Sequence, residues 1–147
     1  MVRQLGFTLI ELIAIIIILS IIGLSIGPRF FSQDISNVKT SRDDVIAALF
    51  FAQQVAMSRA SDTNTIRFLF SASQISVEEN GTPLVNGSVI YPLPLPSNVN
   101  LSATLGSPYT FDKLGRTNTA VLTISSGSSS AQIQLTASGY AYYILQP

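Results

Sequence analysis

The sequence predicts an α+β fold, with a long N-terminal helix packed on a C-terminal antiparallel β-sheet. Three patterns predict it. Residues 7–26 are almost wholly apolar, enough for a helix of about 30 Å. From Phe31 to Ala56 apolar residues recur at alternating steps of four and three, which is an amphipathic helical stripe. Beyond Thr65, strand-forming residues alternate with polar ones between clusters of Gly, Pro, Asn and Ser.

Composition narrows the function. The chain has 147 residues, a one-domain length, with zero formal net charge and 11% charged residues. That balance gives no electrostatic case for nucleic acid. Cys and His are both absent, which removes disulfides, thiol nucleophiles, Cys/His metal sites and His general bases. The domain must therefore hold together by burial and hydrogen bonding.

The first element is the apolar run. Ala14-Ile15-Ile16-Ile17-Ile18-Leu19 has no polar face, so a helix here suits lipid or a tightly packed bundle. A core this apolar is rarely enclosed in so short a soluble chain. An ordinary signal peptide has a shorter apolar stretch and a small-residue cleavage site after it. Here Gly27-Pro28-Arg29-Phe30-Phe31 follows, so the segment is expected to be retained. Glu11 interrupts the run near its start. A carboxylate in hydrocarbon costs about 2.5–3.5 kcal/mol on insertion scales. Two readings stay open: Glu11 sits close enough to the interface to remain wet, or it seeks a cation from another chain. Arg3 precedes the run and Arg29 follows it, so the positive-inside rule does not set its orientation.

The second element continues from the first. Phe31, Ile35, Val38, Arg42, Val45, Leu49, Ala52 and Ala56 form the stripe, which only Arg42 breaks, and Ile46 and Phe50 widen it. With the apolar half this predicts one near-continuous helix from Phe7 to Ala60, about 80 Å long. Gly27 and Pro28 can bend or loosen it without dividing it. Asp43 and Asp44 are adjacent, so on a helix they diverge by about 100° and form a solvated face rather than a shared site. Glu78 and Glu79 diverge in the same way on a strand.

The third element is the sheet. Strands are expected at 65–70, 74–79, near 84–91, 120–124, 131–136 and 139–144, with 98–105 a strand or a loop. Asn80-Gly81 is a turn. Pro92-Leu93-Pro94-Leu95-Pro96 is an extended connection that a central strand would not tolerate. Ser125 to Ser130 reads as a flexible hairpin loop, and Tyr140, Tyr142 and Tyr143 as sheet packing. Asp112 begins a turn whose single carboxylate falls far short of the oxygens a calcium site needs, so no metal is expected.

Gly6-Phe7-Thr8-Leu9-Ile10-Glu11 resembles the signature of type IV prepilins and type II secretion pseudopilins. Phe111-Asp112-Lys113-Leu114-Gly115-Arg116, the two strands after it and Gly139-Tyr140 resemble the globular domain of GspH/FimT-like minor pilins, those of the MSHA type above all. The resemblance implies a type IV pilin-like fold divided into a leader (1–6), a transmembrane helix half (7–28), an amphipathic helix half (29–62) and a β-rich periplasmic domain (63–147). It implies cleavage after Gly6 by a prepilin peptidase and N-methylation of Phe7. It implies an assembly role for Glu11 and helix loosening at Pro28. The chain lacks the cysteine pair that often closes the C-terminal loop of major pilins, which favours a minor subunit. The implied partners are other pilin or pseudopilin subunits, the peptidase, an inner-membrane assembly platform and the bilayer, with no cofactor. The implied location is the bacterial inner membrane, with the leader cytoplasmic and the domain periplasmic.

On this resemblance the physical role of Glu11 follows. The new amine of Phe7 on an incoming subunit can neutralise Glu11 of a neighbour, which favours one axial offset. Pilus assembly and type II secretion share the signature, so both are open. A membrane-tethered enzyme is a second class, but with no His or Cys a conventional triad cannot be built, and a Ser-Lys dyad would have to use Lys39 or Lys113. A single-pass scaffold that never polymerises is a third, and it predicts an uncut leader.

Overall fold

The computed structural model describes residues 8–144, with the backbone alone for 24–32. It divides into two compact units, Met1–Gln33 and Asp34–Pro147. Helix α1 (Leu9–Arg59) contributes residues to both. Among the described residues no helix is long and apolar enough to cross a membrane. The expected transmembrane half, 7–28, reaches beyond the fully described residues at both ends.

In the second unit the buried face of α1 comprises Val38, Ser41, Val45, Ala48, Leu49, Ala52, Val55 and Ala56. The expected stripe is thus largely present from Val38 onward, while the Phe31 side chain lies outside the described residues. Ser41 takes the inward place expected for Arg42, and Ile35 is exposed. Phe50 also lies outward, against Tyr140. The three alanines keep the helix surface low, so the sheet side chains can approach it closely.

Among the described residues eleven strands follow: β1 (Ile66–Phe70), β2 (Gln74–Glu79), β3 (Thr82–Pro83), β4 (Val85–Asn86), β5 (Val89–Ile90), β6 (Leu93–Pro94), β7 (Asn100–Ala103), β8 (Tyr109–Phe111), β9 (Ala120–Ser126), β10 (Ser129–Leu135) and β11 (Ala141–Ile144). They form two principal antiparallel sheets rather than the single one expected. One has the order β3-β2-β1-β8, with β6 also paired to β2, and the other β11-β10-β9-β7. Inward residues of both alternate with outward ones. Ile66, Phe68, Ile75 and Val77 from the first sheet join Leu122, Ile124, Ile133 and Leu135 from the second in one continuous core with the helix.

Several boundaries differ from expectation for local reasons. The stretch 84–91 is a small hairpin, β4–β5, turning at Gly87, whose φ is +59°. Only glycine enters that region at little cost. The serine segment is ordered strand up to a tight turn at Gly127-Ser128, because Ser126 pairs with Ser129 and is buried. Leu93–Pro94 pairs at the margin of β2, where a proline's missing N–H is tolerated.

The end of α1 is fastened to the β1–β2 hairpin by side chains. Asn64 Nδ2 donates to the Arg59 carbonyl at 2.9 Å and to Glu79 Oε1 at 2.6 Å. Arg59 Nη1 donates to Glu79 Oε2 at 3.2 Å. The Asn64 hydrogen bond, and after it Arg59, holds the Glu79 carboxyl below the ordinary carboxylate range against a smaller desolvation effect. A carboxyl depressed in the folded state contributes stability that is complete above the unfolded pKa and lost as pH falls through the folded one. Asn64→Ala is expected to raise the Glu79 midpoint in a carboxyl-detected NMR titration. It should also flatten the dependence of stability on pH below about 4. An unchanged midpoint would mean that Asn64 does not set it.

Candidate assembly surface

Within the first unit every large apolar side chain from Leu9 to Ile22 is exposed, by 43 to 77%. Contiguous apolar surface of that extent is characteristic of membrane or protein–protein interaction sites. The Ser20 hydroxyl, within the apolar run, donates to the Ile16 carbonyl at 2.8 Å, so it adds no unsatisfied group.

Glu11 stands in the first helical turn, which favours a negative charge. Its Oε2 accepts from the Thr8 N–H and the Thr8 hydroxyl, both at 3.4 Å, and its own N–H donates to Thr8 Oγ1 at 3.3 Å. This is a reciprocal capping box: Thr8 caps the helix and Glu11 reaches back. The Thr8-x-x-Glu11 spacing before an apolar run carried that signal, and the sequence reading passed over it. The carboxylate is therefore held at the helix start in a fixed orientation while remaining exposed. Gly6 and Phe7 lie outside the described residues. The helical backbone includes Pro28, whose side chain lies outside them too.

In the second unit two glycine turns meet on one helix residue. Asp112 closes the first: its Oδ1 accepts from the N–H groups of Leu114 (2.9 Å) and Arg116 (2.8 Å), and its Oδ2 from Arg116 Nε at 2.8 Å. Those bonds, led by the Arg116 N–H, hold its carboxyl below the ordinary range. Gly115 and Gly139 both have positive φ, +73° and +81°. Gln53 Nε2 of α1 donates to the Ser138 carbonyl at 2.9 Å and to the Gly115 carbonyl at 3.5 Å. The paired motifs Phe111 to Arg116 and Gly139-Tyr140 thus have a physical reason: two backbones cross above one glutamine with no room for a side chain.

A second clamp lies at the opening of the same unit. Asp34 Oδ1 accepts from Asn98 Nδ2 and from Ser126 Oγ, each at 2.8 Å, and Asn37 Nδ2 donates to Asn98 Oδ1 at 3.0 Å. Partners 64 and 92 positions apart leave no local pattern, so sequence reading missed them.

The remaining candidates fall apart as the geometry of adjacent residues requires. Asp43 is exposed and pairs with Arg42 at 2.8 Å. Asp44 is half-buried and so less solvated than Asp43. Burial, and then the charge of Asp43, pushes its carboxyl up, while burial and then Asp44 push up the Tyr91 hydroxyl. Glu78 pairs with Arg67, apart from Glu79. Tyr140, Tyr142 and Tyr143 are 43 to 53% exposed, so they pack on the outer surface of the sheet, where Tyr140 stacks on Tyr142.

Among solved structures the chain is similar to the minor pseudopilin EpsH from the type 2 secretion system of Vibrio cholerae. The TM-score is 0.58 at 12% identity, covering 74% of this chain and 96% of that one. It is also similar to the type IV minor pilin FimU of Pseudomonas aeruginosa, with a TM-score of 0.51 at 12% identity, covering 73% and 92%. No protein-family model and no curated protein matches the chain. At this identity the likeness is one of fold: helix plus antiparallel sheet, in the pilin-like arrangement.

Proposed function

We propose that the chain is a minor pilin-like subunit. Its apolar helix holds it in the bacterial inner membrane, with the β-rich domain in the periplasm. A prepilin peptidase cuts after Gly6, Phe7 is N-methylated, and the mature chain joins a type IV pilus of the MSHA type through an inner-membrane platform. Its work is structural, not catalytic. One observation carries this reading: a pilin-like domain follows an exposed, all-apolar helix with a single acid near its start.

The physics of addition is as follows. The capping box presents the Glu11 carboxylate at the helix start. In lipid that charge is costly until a cation meets it. The amine of Phe7 on an incoming subunit supplies the cation, and pairing removes most of the cost of both charges. Pro28 lets the helix loosen as subunits pack. A type II secretion pseudopilin of the GspH kind is the second reading. The higher TM-score and fuller coverage of EpsH favour it.

Intact-mass analysis of the membrane-extracted protein tests the common core of both readings. The expected result is loss of Met1 to Gly6 and one added methyl group on Phe7. A full-length, unmethylated chain in cells with an active prepilin peptidase would overturn it.

A further inference from the structure

The sheet β11-β10-β9-β7 has two margins, and they are treated differently. At one, the Leu101 N–H of β7 donates to the Ala72 carbonyl at 3.3 Å, so a neighbouring loop covers that margin in part. At the other, β11 is hydrogen-bonded to β10 and, among the described residues, to no other strand. Exposed margins are usually blunted by charges, prolines or bulges. β11 reads Ala-Tyr-Tyr-Ile and has none of these.

Beside this margin runs a groove of about 300 Å³ between β11 and α1, lined by Ile35, Val38, Lys39, Arg42, Tyr143 and Ile144 among others. The Arg42 guanidinium lies over the Tyr143 ring at 4.8 Å, and Asp43 pairs with it. Among the described residues Lys39 has no ion-pair or hydrogen-bond partner. The groove thus offers apolar walls, an open row of backbone groups and one cation that is unpaired among the described residues.

We infer that β11 accepts an extended strand from a different subunit, with an acidic side chain of that strand meeting Lys39. Backbone pairing supplies the attachment and the groove supplies the specificity. A second copy of this chain is disfavoured by charge. Antiparallel pairing of β11 with itself would place two helices on one face of the joined sheet, with Lys39 and Arg42 of each beside the seam and only Asp43 to offset them. Like charges so placed repel. The inference takes from the filament reading only that a neighbouring chain is at hand.

The test uses the full chain in detergent micelles and labelled peptides of about eight residues, a typical strand length. The peptides alternate valine and threonine, with a central glutamate or a central lysine. Fluorescence anisotropy should show the glutamate peptide binding about tenfold more tightly. Lys39→Glu should reverse that order, and backbone N-methylation of the glutamate peptide should abolish its binding. Equal binding of both peptides, no binding, or indifference to N-methylation would overturn the inference. So would sedimentation showing the chain paired with itself through β11. None of these results bears on leader removal, so this idea and the filament reading can fail separately.

Discussion

Gly139→Ala should lower the melting temperature of the full-length chain by about 10 °C. An added Cβ at this position would collide with the Gly115 carbonyl oxygen and stand 2.9 Å from Gln53 Nε2. The first neighbour is backbone and cannot swing aside. The φ of +81° adds the ordinary cost of a left-handed conformation for a residue with a Cβ, about 1–2 kcal/mol. Forcing the two turns apart adds about 1–3 kcal/mol. In a domain of this size each kcal/mol moves the midpoint by roughly 2–4 °C. Gly87→Ala is the control, because φ there is +59° with nothing within 4 Å of the added atom. It should lose only about 1–2 kcal/mol, the conformational part. Equal losses at the two sites would show that the crossing of the turns does not matter.

Glu11→Gln and Glu11→Leu should both insert in the membrane, and neither should assemble efficiently. The pair separates two roles that coincide in one side chain. Glutamine can still reach back to Thr8 and complete the capping box, but it carries no charge. Leucine loses both. If the carboxylate serves as the partner of an incoming amine, the filament yield of each variant falls at least about tenfold, in line with an unpaired charge in lipid costing several kcal/mol. Immunogold counting of fibres, normalised to membrane-inserted subunit, measures it. Normal assembly of the Gln variant, with failure of the Leu variant, would reduce Glu11 to a helix cap.

What sequence could and could not disclose follows the range of each interaction. The strands β1, β2, β9 and β10 were legible because their alternation is local and their inward residues are strongly apolar. The stripe Val45, Leu49, Ala52, Ala56 was legible because helical periodicity is local too. β8 was missed, since three residues after a proline show no period. The division into two sheets was missed because it depends on which distant strands pair, as when β1 takes β8 for a neighbour. At the candidate site, hydropathy exposed Glu11 at once. Its bond to Thr8 needed only a three-residue spacing that was read as a processing motif and not as a cap. Asp34, Asn98 and Ser126 share no neighbourhood in the chain, so only the folded backbone shows that they meet.

The Asp34 clamp has a mechanical consequence. A pull entering the domain along α1 reaches Asp34 before it reaches the core. There the bonds to Asn98 and Ser126 divert the load at once into the β6–β7 connection and the β9–β10 hairpin. A rope tied at its first turn around a post resists peeling in the same way. The hydrophobic layer behind the knot is then strained late, and the domain can take tension without being unzipped from its N-terminal end.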